Sequence, residues 1–347
     1  MNDSIRKAKE IITGYSGKPL RIMEVCGTHT HEIFRLGIRR LLPESIDLIS
    51  GPGCPVCVTA VGFIDEACWL ALEKSCIICT FGDLIRVPGT TMNLSDARAK
   101  GADIRPVYSP LDAVQLAQDL PDRQIVFLAV GFETTIPAAC LAAKQAKEKG
   151  LQNFSLLTAN KTMPNAYQAL VGSADAFLYP GHVNAISGNG ECIRLCEEQG
   201  VSGVVAGFTS GELLTALAVT VNLLQKGKPF FRNCYPRVVS DEGNPAALKL
   251  IAEVMEPCDS EWRGLGMIKG SGMKLRADYA DFDARLKFNM PQITGKPNPA
   301  CRCGDVLQGK CKPSDCKVYG KVCTPLHPIG ACMVSDEGAC AAYYQYS

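Results

Sequence analysis

Seven short apolar runs set the tightest limit on how this chain folds: LRIMEV (20–25), IDLIS (46–50), CIICT (76–80), IVFLAV (125–130), FSLLTA (154–159), AFLYP (176–180) and GVVAGF (203–208). Runs of about four to eight residues, apolar on both faces, alternate here with helical patterns such as 138–149 and 211–226. They read as parallel strands, because helices on both sides are needed to keep such strands from water. Six of the runs end in turns of unusual composition. These are CGTHTH, GPGCPVC and TFGD in a first series, then GFETTIP, ANKTMP and PGHVN in a second. Corresponding strand ends lie 100–109 residues apart, with little identity between the two series. The expected fold is therefore α/β, with two similar parallel-sheet domains, 20–122 and 123–230. They are expected to face each other across a cleft lined by loops at the carboxyl ends of the strands, where open α/β sheets bind ligands.

Beyond about residue 230 the apolar runs stop and Pro, Gly and Cys increase. Seven cysteines fall in the 40 residues from Cys301 to Cys340. Together with residues 1–19, this stretch, 231–347, is expected to form a third, irregular Cys-rich domain, of the kind usually held by a metal or disulfides.

The chain carries 18 Cys in 347 residues, far too long a chain to need disulfide staples. Its start, MNDSIRKAKEIITGYSG, has no apolar h-region, and the apolar stretch 201–224 is interrupted by Gly, Ser210 and Glu212. A cytoplasmic protein with no membrane partner is the expectation, and there thiols stay reduced. The cysteines then point to metal ligation or thiol chemistry. A net charge of +1 supplies no electrostatic reason for nucleic acid as a partner.

Three constellations carry chemistry. In MEVCGTHTHEIF, Cys26 stands where a strand gives way to a helix, a position whose N–H groups favour a thiolate. Thr28, His29 and His31 follow it, and these two histidines are half of the chain's four. In GPGCPVCV, Cys54 and Cys57 form a Cys-x-x-Cys that fits dithiol–disulfide work, with soft-metal binding as the other reading. Cys301, Cys316, Cys323 and Cys340 give C-x14-C-x6-C-x16-C, a four-thiolate set for an iron–sulfur cluster or zinc, between which spacing does not choose. Asp83, Glu133 with its two threonines, and His182 add polar groups at strand ends, each a weak signal alone because Thr and Asp commonly cap helices. Cys76 and Cys79 read as core residues of a strand. Neither a Walker A motif nor G-x-G-x-x-G occurs, so a nucleotide site is not supported.

The turns MEVCGTHTH, GPGCPVC, TFGD, GFETT and PGHVN, with the cysteine spacing above and the tail CMVSDEGACAAYYQY, resemble the HypD family of hydrogenase maturation proteins over nearly the whole chain. The resemblance implies assembly of the Fe(CN)2CO part of a [NiFe] hydrogenase, in a complex with the small chaperone HypC and with HypE as cyanide donor. It implies that Cys26 ligates that iron, that Cys54 and Cys57 are a redox pair, and that Cys301, Cys316, Cys323 and Cys340 hold a [4Fe–4S] cluster. Cys303 and Cys332 match an accessory pair relaying electrons from cluster to cleft, while Thr28, His29, Asp83, Glu133 and His182 fall in cleft-lining motifs. Such a protein is a redox scaffold rather than a conventional turnover enzyme. A free-standing iron–sulfur thiol–disulfide reductase would dispense with Cys26, and a zinc-stabilised binding module would leave Cys54 and Cys57 without a role.

Overall fold

The computed structural model describes residues 3–347. Nine strands pair in two parallel sheets, and two more form a hairpin. The strands are β1 (Leu20–Glu24), β2 (Ile46–Ser50), β3 (Ile77–Thr80), β4 (Ile104–Pro106), β5 (Ile125–Gly131), β6 (Phe154–Asn160), β7 (Ala176–Pro180), β8 (Gly203–Ala206), β9 (Phe231–Asn233), β10 (Met255–Trp262) and β11 (Gly266–Leu275). The first sheet has the order β2-β1-β7-β8-β9 and the second β4-β3-β5-β6, with every neighbouring pair parallel.

This order corrects the expected division of the chain. The first sheet takes β1 and β2 from the first series and β7 and β8 from the second, while β3 pairs with β5. No sheet is built from 20–122 or 123–230 alone. An apolar run shows that a strand is buried on both faces; it carries no record of its neighbour. The chain enters the first sheet, crosses to build the second, and returns.

The amino-terminal segment, described from residue 3, likewise belongs with the first sheet and not with the C-terminal segment. Helix Asp3–Thr13 turns Ala8 and Ile12 onto Leu213 and Leu217 of helix Ser210–Leu224, in a core shared with Ile22, Leu178 and Val204. The segment after 230 is not free of strands either. It contributes β9 and the antiparallel β10–β11 hairpin, whose outward-facing residues are polar and so break the apolar signal.

Side-chain alternation explains the cores. In the second sheet Ile77, Cys79, Ile125 and Phe127 face one layer of helices, whereas Cys76, Ile78, Val126 and Leu128 face the other. In the first sheet Ile22, Leu48 and Val204 face the two helices above. Met23, Val25, Phe177, Tyr179 and Val205 face a different cover. That cover combines loops after strands of both sheets (Cys54, Cys57, Phe132, Met163, Tyr167) with Trp262, Cys303, Cys332 and Cys340 from the C-terminal segment. At about 1.5–3 kcal/mol for each large apolar side chain buried, this mixed core is a substantial tie between distant parts of the chain.

The hairpin is the tie's anchor. Trp262 pairs with Thr59 just after the Cys54–Cys57 loop, and Gly272 pairs with Lys161 at the end of β6. Trp262 is fully buried, stacks on Phe132 at 5.7 Å and donates its Nε1–H to Ser271 Oγ at 2.7 Å. Among the described residues, no helix is long and apolar enough to cross a membrane.

Candidate functional site

Cys26 stands two residues past β1 in extended backbone (φ −146°, ψ 124°) and caps helix Gly27–Arg35. The loop after β2 packs directly on it: Gly27 N–H donates to Gly53 O at 2.8 Å, and a Cβ on Gly53 would lie 2.1 Å from Cys26 N. Only glycine at 53 lets the two loops meet, which brings the Cys-x-x-Cys loop against Cys26. Cys54 caps the short helix Pro55–Val58, its Sγ accepting the Cys57 N–H at 3.3 Å. Below the site, the Arg39 guanidinium pairs with the buried Glu24 carboxylate at 3.0 Å. Ser50 donates to the same oxygen at 2.6 Å, clamping the ends of β1 and β2 together.

Cys26 is buried, and burial pushes its thiol up to about 12. The N–H groups of His29 and Thr28 pull the other way and lose. The expectation of a thiolate favoured by the helix start is therefore corrected: desolvation outweighs the helix end while no cation is bound.

His29 is also buried. Its Nε2 lies 3.2 Å from Ala206 O and 3.1 Å from Gly207 O, both acceptors, so Nε2 carries the hydrogen. Nδ1 is then a bare lone pair, buried and without a partner. Burial pulls His29 down to about 4, so the ring is neutral at pH 7. Phe208 contacts both histidines, tilted against His29 at 4.8 Å and stacked on His182 at 3.8 Å; burial lowers His182 as well. His31 instead turns to the C-terminal helix, with Nδ1 3.3 Å from Asp336 O and its ring edge-on to Tyr346.

Glu133 follows β5 and is buried, its Oε1 accepting the Met163 N–H at 2.8 Å while Oε2 has no partner. Burial raises this carboxyl to about 7. Tyr167, one helical turn beyond Met163, also leaves its buried hydroxyl unpartnered, and its strongest charge interactions include Cys192, Glu133 and Cys26. Asp83 stands apart. It is exposed on the 3-10 turn Gly82–Arg86, and no hydrogen bond or ion pair links it to the other candidates.

Two site residues carried no sequence signal. Glu337 accepts the Thr28 hydroxyl at 2.6 Å and presses on Gly27, where a Cβ would lie 2.7 Å from the Glu337 Cβ. Phe208 sits two residues past β8, inside what reads as a strand run. Glu337 lies within the SDEGAC tail, so its neighbourhood was visible though its contact was not.

The C-terminal cysteines reach the same place. Cys57 Sγ donates to Ala331 O at 3.9 Å, next to Cys332, and Cys332 lies close enough to Cys57, Cys303 and Cys340 for the thiols to shift one another's protonation. Contact with Cys303 is the first cause that holds the Cys332 thiol well above its usual range. Cys301 neighbours Cys303, and a Cβ on Gly330 would fall 2.3 and 2.5 Å from their two sulfurs. Cys323 Sγ accepts the Ile329 N–H at 3.3 Å, and Cys316 Sγ lies 3.9 Å from Ala300 O, beside Cys301. Four thiols without a carboxylate among them fit an iron–sulfur cluster by their chemistry. Among the described residues, however, no three His, Cys, Asp or Glu side chains converge as a single metal ion requires. Cys311 is half-buried near Arg302 and Asp305, and Cys76, Cys79 and Cys140 are core residues.

The fold and site define an α/β protein whose strand-end loops and C-terminal segment bury a set of free thiols together. Comparison with known sequences narrows the class. A model described as HypD, hydrogenase formation hypA family, matches residues 2–347, and the chain belongs to this family. It is 44% identical over 351 residues to the hydrogenase maturation factor HypD of Escherichia coli (strain K12), covering 99% of this chain and 94% of that protein. The HypD of Rhodobacter capsulatus is also 44% identical (99% and 93% covered), and that of Cupriavidus necator is 43% identical (95% and 90%).

Proposed function

We propose that this chain is a hydrogenase maturation factor that holds iron at Cys26 while the ligands of an Fe(CN)2CO unit are attached. HypC is the proposed chaperone partner and HypE the proposed cyanide donor. The observation that carries the reading is the burial of Cys54 and Cys57 in one core with Cys303, Cys323, Cys332 and Cys340, while the Gly27–Gly53 contact sets Cys26 against the same loop. The relatives' names, hydrogenase maturation factor HypD, support the process.

The residues divide the work. Cys26, protonated when empty, gives up its proton as a soft cation binds, so loading is coupled to proton release. Thr28 and Glu337 place a carboxylate beside that sulfur. His29 offers a neutral acceptor at Nδ1, and Glu133, raised to about 7, can hold or release a carboxyl proton near neutral pH. Cys301, Cys316, Cys323 and Cys340 would hold a [4Fe–4S] cluster, which supplies electrons one at a time. The Cys57–Cys332 contact supports passage of reducing equivalents from Cys303/Cys332 to Cys54/Cys57.

The test is infrared spectroscopy of the protein purified anaerobically with its small chaperone. Cyanide and CO stretching bands are expected, lost with Cys26→Ala and kept with Cys311→Ala. Bands that survive Cys26→Ala would remove the iron from this residue.

A further inference from the structure

One charged side chain near the thiols has no part in the account so far. Arg263 follows Trp262 at the tip of the hairpin, and its N–H donates to Val58 O at 2.8 Å, one residue past Cys57. On its other side the chain touches the C-terminal segment. A Cβ on Gly264 would lie 2.4 Å from Gly304 Cα, next to Cys303, and Gln308 Nε2 donates to Gly264 O at 2.7 Å. Arg263 is thus wedged between the two cysteine pairs.

Its guanidinium is fixed by carbonyls alone, Nε donating to Thr59 O at 2.7 Å and an Nη to Pro88 O at 2.9 Å. Among the described residues, no carboxylate lies within ion-pair distance of it. The guanidinium's anchor at Thr59 O lies two residues past Cys57, and the adjoining Gly264 meets Gly304, next to Cys303, so the cation stands beside both thiol pairs. A half-buried cation needs compensation, and guanidinium does not neutralise by losing its proton. A thiolate formed at Cys57 or Cys303 during exchange meets this fixed cation from the neighbouring loop.

We infer that Arg263 is a positioning residue for thiol–disulfide exchange between Cys303/Cys332 and Cys54/Cys57, supplying fixed positive charge where negative charge spreads over sulfur. The inference rests on the exchange proposed above. In the exchange, the Cys332 thiolate attacks Cys57 of an oxidised Cys54–Cys57 pair. The Cys332–Cys57 bond forms as Cys54–Cys57 breaks, and Cys54 leaves with the electron pair and takes up a proton. The Cys303 thiolate then attacks Cys332 and releases Cys57. One disulfide is lost and one is gained. Two electrons pass from the C-terminal pair to the cleft pair, and the protons given up by Cys303 and Cys332 match those taken by Cys54 and Cys57. At each step one negative charge is shared among three sulfurs, and a preorganised cation fixed beside their loops lowers the barrier.

The test uses the full chain carrying Cys303→Ala, which stops the exchange at the Cys57–Cys332 bond. The Cys54–Cys57 pair is first oxidised with oxidised dithiothreitol. Formation of the mixed disulfide is then followed by rapid alkylation and mass spectrometry. Arg263→Lys keeps the charge, and Arg263→Gln keeps a donor for Thr59 O without charge. We expect Lys to stay within about twofold of Arg and Gln to be slower by about tenfold. Equal rates for Arg and Gln, or a loss with Lys as large as with Gln, would overturn the role of the charge. Should the Gln protein fail to fold, the Lys rate alone decides on the same terms. If the Arg263 protein itself forms no Cys57–Cys332 bond, the exchange reading falls, separately from the role of Arg263.

Discussion

The two cysteine-bearing regions that meet in this molecule are held in place by different means. Cys26, Cys54 and Cys57 sit at the ends of β1 and β2, where parallel hydrogen bonds, the Arg39–Glu24 clamp and Gly53 against Cys26 fix them. Cys301 to Cys340 lie in short helices and turns outside any sheet, placed by contacts to other parts: Trp262 on Phe132, Gly264 on Gly304, Thr28 on Glu337. The first region is a rigid shelf and the second is laid onto it. Such a division suits a site in which one set of sulfurs keeps its place while the other depends on its contacts, and on any cluster it carries, for its final geometry.

The largest way to break the comparison is to remove the anchor. Trp262→Ala should cost about 3–5 kcal/mol, read by denaturant unfolding. It should also raise alkylation of Cys303 and Cys332 more than that of Cys54. Equal labelling of both regions would show that they are held alike.

A smaller effect comes from pH. Glu133 titrates higher in the fold, at about 7, than in an unfolded chain, so its contribution is full below the unfolded value and fades as pH rises through about 7. It is worth about 3 kcal/mol by the usual conversion. His29 acts in reverse: held down at about 4, it contributes above its unfolded value and loses that as pH falls. The two offset one another between roughly pH 4.5 and 6.5. Glu133→Gln should therefore make the protein more acid-labile in that window, read from melting temperature against pH. A variant no more acid-labile than the parent would contradict the burial of one or both groups.

The smallest effect sharpens the comparison by contrast. Cys79→Ala or Cys140→Ala should cost about 1 kcal/mol of stability and leave cluster absorbance and thiol exchange unchanged.

The sequence revealed the shelf better than what lies on it. Strand-end turns such as CGTHTH, GPGCPVC and GFETT announce themselves by composition, and the fold puts Cys26, Cys54, Cys57, Glu133 and His182 at strand ends as expected. What pattern does not encode is long-range pairing, so β1 beside β7 was invisible, as was the hairpin with its polar outer face. Arg263, Phe208 and Glu337 sit in ordinary contexts and matter only through contacts across the chain. Asp83 had the right kind of turn, yet its strand delivers it to the surface. Cys26 shows the limit of reading charge from sequence, because its burial outweighs the local helix end.

The central claim is that shelf and C-terminal segment form one connected thiol site through Cys57 and Cys332. Mild oxidation of the full chain carrying Cys54→Ala and Cys303→Ala, followed by peptide mapping, tests it directly. The account predicts a Cys57–Cys332 disulfide as the main product. Recovery of Cys57 as a free thiol, with Cys332 bonded to Cys340 or left free, would contradict it.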